Sequence, residues 1–119
     1  WIKKGGTEYL IDIKTVQINA GSGVKFNRNL LEWYTYSALD RVSHVQCLVA
    51  FPYNPYDEDY WKKEAGKVSP LMPGVEAKVE SEFWDFLSGE SETYSRIIKA
   101  FVELSREGFT KKFDSIFYK

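Results

Sequence analysis

The sequence predicts an α/β domain with a mixed central sheet flanked by helices, and three stretches carry this prediction. Residues 8–15 form an apolar-rich strand, residues 28–41 repeat apolar side chains at helical spacing, and residues 44–51 are almost continuously apolar. A continuously apolar strand is typical of a central strand that is covered on both faces. Because strand, helix and strand follow one another, we expect a parallel crossover between the two strands.

The segment between the first strand and the first helix reads as a loop. Residues 16–27 contain Gly21 and Gly23, which favour turns, and Asn27 then stands where a helix N-cap is expected. After the second strand, the two prolines within residues 52–56 interrupt regular structure.

The second half of the chain predicts helices only towards its end. Residues 57–75 are acidic and contain turn residues, which indicates irregular structure. Residues 80–88 predict a short helix that ends at Gly89, and residues 92–107 predict an amphipathic helix with Gly108 just past its end. The apolar pattern continues into the tail, at Phe109, Phe113, Ile116 and Phe117.

Length and composition indicate one domain over residues 1–119. Apolar residues make up 44% of the chain, with 4 Trp, 8 Tyr and 8 Phe, so a core can form and disorder is not expected. No apolar run is long enough to span a bilayer. The single Cys47 cannot form an internal disulfide, which suits a reducing cytoplasm. The net charge of −1 argues against a generally basic nucleic-acid-binding protein, although both ends lean basic.

A charged pair on the first strand is the strongest indication of chemistry. Asp12 and Lys14 are two residues apart, so their side chains point to the same face of a strand. Ile11 and Ile13 would face the opposite, buried side. A carboxylate able to hold a hard cation then lies beside an ammonium able to reach a phosphate, and metal-dependent phosphodiester cleavage needs both. Both residues lie where the chain leaves a central strand, which is where α/β active sites form. A surface ion pair remains the alternative.

The sequence around this pair resembles the second half of the PD-(D/E)xK signature of type II restriction endonucleases. More widely, residues 8 to about 104 resemble the TdeIII/MjaII-type restriction enzymes, with their motifs in the same order. The matching stretches are Asp12-Ile13-Lys14-Thr15, Asn19-Ala20-Gly21, Leu31-Glu32-Trp33-Tyr34, residues 52–56 and Glu82-Phe83-Trp84-Asp85-Phe86. The resemblance implies a restriction-endonuclease-like fold, of which this chain would be the later part, with additional helices at the C-terminus.

The resemblance also implies a role for each matching residue. Asp12 would bind a divalent ion, normally Mg²⁺, and the backbone carbonyl of Ile13 would be a further oxygen ligand. Lys14 would orient or deprotonate the attacking water and stabilise charge on the phosphate, and the electrostatic role is the one we favour. Glu32, on the helix after the catalytic strand, is a second candidate ligand, although a solvated helix position is the explanation we favour.

One part of the family pattern is missing from this sequence. The pattern needs an acidic residue on an earlier strand, and Glu8 is the sole acid among the eleven residues before Asp12. Glu8 would lie roughly 13 Å from Asp12 along the same strand, too far for one metal ion to bridge. We therefore expect the missing ligand to come from a preceding segment, or the site to be incomplete.

Several polar and aromatic residues could contact DNA. Gln17, Asn19, Lys25, Asn27 and Arg28 could pair with base edges or neutralise phosphates, or they could form an ordinary polar loop. Aromatic side chains could stack on bases or pack against the protein, namely Tyr53, Tyr56, Tyr60 and Trp61.

The expected function is Mg²⁺-dependent, sequence-specific cleavage of double-stranded DNA by a cytoplasmic homodimer. The resemblance further implies a short palindromic site of the GGNCC kind. Two alternatives stay open at this stage: a catalytically incomplete DNA- or protein-binding module on a nuclease fold, and an assembly domain whose aromatics form an interface.

Overall fold

The computed structural model describes residues 1–114, which form a four-stranded mixed sheet with helices on both faces. The strands are β1 (Ile2–Lys4), β2 (Thr7–Ile13), β3 (Val45–Phe51) and β4 (Ala77–Val79), in the spatial order β1-β2-β3-β4. β1 is antiparallel to β2, whereas β2, β3 and β4 are parallel. The predicted mixed sheet and the parallel crossover through a helix are therefore confirmed.

The helices follow the strands in an alternating order. They are α1 (Ser22–Leu39), α2 (Tyr60–Val68), α3 (Glu80–Ser88) and α4 (Thr93–Arg106), followed by a short 3₁₀ helix over Phe109–Phe113. The helices predicted over residues 80–88 and 92–107 are confirmed within a residue or two at each end. Two residues of the predicted apolar tail, Ile116 and Phe117, lie outside the described part of the chain. Within that part, no helix is both long enough and apolar enough to cross a bilayer.

β3 is the centre of the core, and its two faces pack on different helices. Cys47, Val49 and Phe51 face α1 and α2, together with the buried Leu30 and Val68. The intervening Leu48 and Ala50 face α3, where they pack on Phe83. All five β3 side chains from residue 47 to 51 are inaccessible to solvent. The alternation of a strand thus divides one apolar run between two half-cores.

A two-residue hairpin precedes the predicted first strand. Gly5 and Gly6 both have positive φ, at 54° and 83°, and they join β1 to β2 with Lys4 opposite Thr7. Consecutive positive φ angles are what the tight turns of two-residue hairpins require, and glycine adopts them without strain. The first predicted strand is therefore the second strand of the sheet, and it ends at Ile13 rather than at residue 15.

The expectation that Ile13 is buried is wrong. Its side chain is 60% exposed, while Ile11 packs against the half-core formed with Phe83. The cause is position: Ile13 is the last residue of β2 and lies beyond the cluster around Phe83, which covers Tyr9 and Ile11 on the same face. Similarly, the second strand begins at Val45, so His44 is an exposed residue before it.

Two further corrections concern helices. α1 begins at Ser22, so most of the predicted loop over residues 16–27 is helical and Asn27 lies inside the helix, not at its N-cap. The segment over residues 57–75, expected to be irregular, contains α2, whose first turn is capped by the Asp59 carboxylate accepting from the Lys62 N–H at 2.9 Å. An acidic residue before a helix is a capping signal as well as a loop signal.

Candidate active site

Asp12 and Lys14 lie side by side where β2 ends. Asp12 is opposite Val49 of β3, and the Lys14 N–H donates to the Ala50 carbonyl at 2.9 Å, so the backbone fixes both positions. The Asp12 Oδ2 atom is 2.8 Å from Lys14 Nζ. The two side chains are 17% and 30% exposed, respectively, so the pair is partly shielded from water. The shared face that the spacing predicts is present in the structure.

An open cleft of about 590 Å³ adjoins this pair. Lys14 and Gln17 lie on one wall, which is the chain leaving β2, and Pro52, Tyr53 and Pro55 form the other wall, which is the chain leaving β3. Both walls are at the carboxyl ends of parallel strands, the edge of a sheet where α/β proteins bind ligands. Lys14 Nζ also lies 5.6 Å from the centre of the Phe26 ring, within reach of a cation–π attraction.

A residue of α2 fixes the segment that follows β2 by a hydrogen bond. The buried Tyr60 hydroxyl donates to the Val16 carbonyl at 2.7 Å, and burial raises the pKa of Tyr60. Next to it, the Tyr56 hydroxyl donates to Glu64 Oε1 at 2.5 Å, and Glu64 Oε2 lies 2.9 Å from Lys67 Nζ. These residues were not singled out as a network from the sequence, because the helix that carries them was not predicted. The four-residue spacing of Tyr60, Glu64 and Val68 is the pattern in the sequence that could have indicated this helix.

Only one of the five polar residues predicted to contact DNA lines the cleft. Gln17 does so, whereas Asn19 is exposed in the connection between β2 and α1. The other three are on α1 rather than in a loop. Lys25 and Arg28 are exposed on its outer side, and Asn27 is partly buried.

The other acidic residues considered as metal ligands, Glu8 and Glu32, are not grouped with Asp12. Glu32 is exposed on α1 and lies two residues, about 200° of helix rotation, from the buried Leu30, so it faces away from the sheet. Glu8 accepts from Trp1 Nε1 at 3.2 Å and from Lys3 Nζ at 3.4 Å. Over residues 1–114, no three His, Cys, Asp or Glu side chains are grouped so as to hold a metal ion.

The family model for the type II restriction endonuclease HinfI matches residues 2–105 of the chain. The chain belongs to the HinfI family of type II restriction endonucleases. A curated relative, the type II restriction enzyme MjaII of Methanocaldococcus jannaschii, is 28% identical over an alignment of 117 residues. This alignment covers 90% of the chain and 32% of the relative, so the chain spans about a third of that protein's length. No solved structure matches the chain.

Membership of the HinfI family confirms the type II restriction endonuclease resemblance and agrees with the mixed α/β sheet. Enzymes of this kind generally use divalent metal ions. Part of a suitable ligand set is present: Asp12 offers a carboxylate, and Ile13 lies at the open end of β2, where β1 does not cover it. Mg²⁺ is commonly held by one or two carboxylates together with waters and substrate phosphates, so these two residues fit such an ion as a partial set.

Proposed function

We infer that this chain carries the phosphodiester-cleaving centre of a type II restriction endonuclease that cuts double-stranded DNA at a specific sequence. One observation supports the proposal above all others. The Asp12–Lys14 pair, with 2.8 Å between Oδ2 and Nζ, stands at the carboxyl end of a central parallel strand and beside an open cleft. Family membership supplies the reaction class, and this pair supplies the residues that would perform it.

Each member of the pair has a distinct task in this proposal. The Asp12 carboxylate and the Ile13 carbonyl would hold Mg²⁺, which when bound acts as a Lewis acid towards the phosphate. Lys14 places a positive charge where negative charge develops on the phosphate as water attacks phosphorus. The ion pair holds the Lys14 ammonium beside Asp12 before substrate arrives, which lowers the entropy cost of positioning it.

The substrate and the assembly belong to the same proposal. Gln17 lines the cleft and would contact DNA there, and the exposed Lys25 and Arg28 would neutralise phosphates farther along α1. Asn19 and Asn27 remain candidate contacts, and Glu32 remains a candidate ligand only if the helix is reoriented. We further propose a cytoplasmic homodimer that cuts a short palindrome of the GGNCC kind, because two-fold symmetric sites match two-fold symmetric proteins.

A plasmid-nicking assay on the full-length protein tests the proposal. We expect cleavage with Mg²⁺, none with EDTA, and at least a ~100-fold loss of rate in Lys14→Ala, the scale associated with losing one preorganised charge-stabilising group. Asp12→Asn should abolish the Mg²⁺-dependent activity. Lys99→Ala, an exposed lysine on α4 outside the cleft, is the matched control and should cut at the wild-type rate. Undiminished cleavage by Lys14→Ala would refute the assigned role.

A second candidate is supported by the dispersed acids. Since residues 1–114 do not bring three metal-binding side chains together, a DNA-binding module that does not cleave is consistent with this part of the protein. Such a module would show salt-dependent DNA affinity and no nicking under any divalent ion. An assembly domain without a DNA-binding role would show neither the affinity nor the salt dependence.

A further inference from the structure

Tyr53 stands between two depressions of the surface. It lines the cleft beside Lys14 and Gln17, and it also lines an apolar groove of about 350 Å³ with Trp84, Ile98 and other residues of α3 and α4. Pro52 is shared in the same way. The Tyr53 side chain is 50% exposed. The Tyr53 side chain therefore lies at the edge of the candidate active site, between the cleft and the apolar groove.

The segment that carries Tyr53 is held in place on both sides. The Trp84 indole N–H donates to the Pro52 carbonyl at 2.7 Å. The Asn54 N–H donates to Glu80 Oε2 at 3.0 Å, and the Asn54 amide group donates to the Glu58 carbonyl at 2.9 Å. Two prolines, before and after, further restrict the backbone. Rigid mounting matters because a side chain on a fixed backbone can position a ligand with little entropy cost.

The other aromatics of this region have an evident packing role, and Tyr53 does not. Tyr60 is 2% exposed and Tyr56 and Trp61 are partly buried, and all three belong to the same half-core as Phe51. Of the four aromatics considered as stacking candidates from the sequence, Tyr53 alone combines exposure with a place in the cleft wall. An exposed aromatic on a rigid segment beside a cation is suited to contact nucleotides.

Two of the neighbouring acidic residues are engaged within the protein. Glu58 is paired with Lys63 at 2.7 Å, and Asp59 is engaged at the start of α2. Lys14 lines the same cleft as Tyr53, and its Nζ atom lies 2.8 Å from Asp12 Oδ2.

We propose that Tyr53 is a DNA-positioning residue whose ring stacks on a base, unstacked from its neighbour in the duplex, next to the phosphate that Lys14 contacts. This inference rests on the proposed function, since it takes the cleft to be the DNA site. The ring would hold one nucleotide against the Pro52–Tyr53 wall while Lys14 reaches its phosphate. The contact is apolar and carries no charge, which separates it experimentally from the phosphate contacts.

The test compares variants of the full-length protein in binding a fluorescent duplex that contains its cleavage site, without divalent ions and at several salt concentrations. Tyr53→Ala should raise Kd about 10- to 100-fold, the scale of one lost base–aromatic stack. The slope of log Kd against log salt should stay unchanged, because no phosphate contact is lost. Tyr53→Phe keeps the ring and should restore most of the affinity, whereas Tyr53→Leu should not.

Tyr36→Ala is the matched control, because Tyr36 is 62% exposed on α1 and does not line the cleft. A direct readout completes the experiment: 5-iodouracil placed in turn at each thymine-compatible position near the cut should photo-cross-link to Tyr53. Thermal unfolding should confirm that all the variants remain folded, and Tyr53→Leu still tests the ring if Tyr53→Ala does not fold.

The outcomes separate the two proposals. If the wild-type protein neither binds nor cuts duplex DNA, the proposed function fails and the stacking role fails with it. If the wild type cuts but Tyr53→Ala and Tyr53→Leu bind as the wild type does, with no cross-link to Tyr53, only the stacking role is overturned. A changed salt slope in Tyr53→Ala would also overturn it, because the variant would then have disturbed phosphate contacts.

Discussion

The Asp12–Lys14 pair shows how much one strand spacing can determine. Two-residue spacing on β2 is enough to bring a carboxylate and an ammonium to 2.8 Å of each other, and the end of the strand places them beside a cleft. This geometry was predictable because strand periodicity is local. The exposure of Ile13 was not, because it depends on how far the cluster around Phe83 extends over that face of the sheet, which the residues of β2 do not encode.

Cys47 provides a prediction at the same scale. Burial raises the pKa of its thiol to about 11, against an ordinary value of 9.0. The folded state therefore keeps this proton at pH values where the unfolded state loses it, so folding stability is complete below pH 9 and falls as the pH rises towards 11. The expected loss is about 2 kcal/mol in the free energy of unfolding, since one pKa unit corresponds to about 1.4 kcal/mol.

Urea denaturation at pH 8, 9, 10 and 11 measures this effect. In Cys47→Ala the decline over the same range should be shallower, whatever the variant's starting stability. The folded wild type should also resist thiol-modifying reagents at pH 8. Rapid labelling of the native protein there would contradict the burial of the thiol.

At the scale of elements, the contact between α1 and α2 explains why the start of α1 was mispredicted. Gly23 looks like a loop residue in the sequence, yet it lies in the first turn of the helix and is buried against the end of α2. A Cβ atom there would be 2.0 Å from the Val68 carbonyl oxygen. The glycine is thus selected by close approach of two backbones, which is a tertiary cause that a local pattern does not carry.

This contact predicts opposite effects for two glycine substitutions. Gly23→Ala should destabilise the protein by about 3 kcal/mol or more, since backbone on both sides must move to admit the methyl group. Gly66→Ala, within α2, meets no atom within 4 Å and should stabilise it by about 0.5–1 kcal/mol through helix propensity. Thermal and urea unfolding of the pair would measure both. Equal effects of the two substitutions would argue against the close packing of α1 on α2.

α2 itself was missed for a different reason. Its buried positions are Tyr60, Glu64 and Val68, so the middle of its apolar stripe is a carboxylate. A charged residue in that position reads as solvent-exposed. Its burial is tolerable because the Tyr56 hydroxyl donates to it and because Lys67, three residues later in the same helix, pairs with it. By contrast, α3 and α4 were predictable because their apolar periodicity and their terminal glycines Gly89 and Gly108 are local signals.

At the scale of the described molecule, residues 1–114, packing is dense at β3 and sparse at α4. The radius of gyration is 17.4 Å, larger than the roughly 13 Å expected for a compact domain of this length, and the longest dimension is 51 Å. α4 has no buried residue and keeps Phe101 65% exposed. The sequence predicted the amphipathic character of α4, but the degree to which its apolar face is covered depends on the rest of the fold.

Hydrogen exchange should follow this gradient. We expect amide protons of β3 to exchange most slowly, near the limit set by global unfolding, and those of α4 to exchange fastest among the four α-helices, because little buried area opposes their local opening. Peptide-resolved hydrogen-exchange mass spectrometry of the isolated chain would measure these exchange rates. Protection in α4 that equals protection in β3 would mean that the apolar face of α4 is covered in solution.

The hydrogen bond from Trp84 to Pro52 gives the protein an optical reporter of its own. The indole nitrogen is bonded to the carbonyl of the residue that begins the cleft wall, at 2.7 Å, so displacement of this wall alters the surroundings of the fluorophore. Emission from a variant that retains only this one of the four tryptophans can therefore follow occupation of the cleft in real time, without any attached dye.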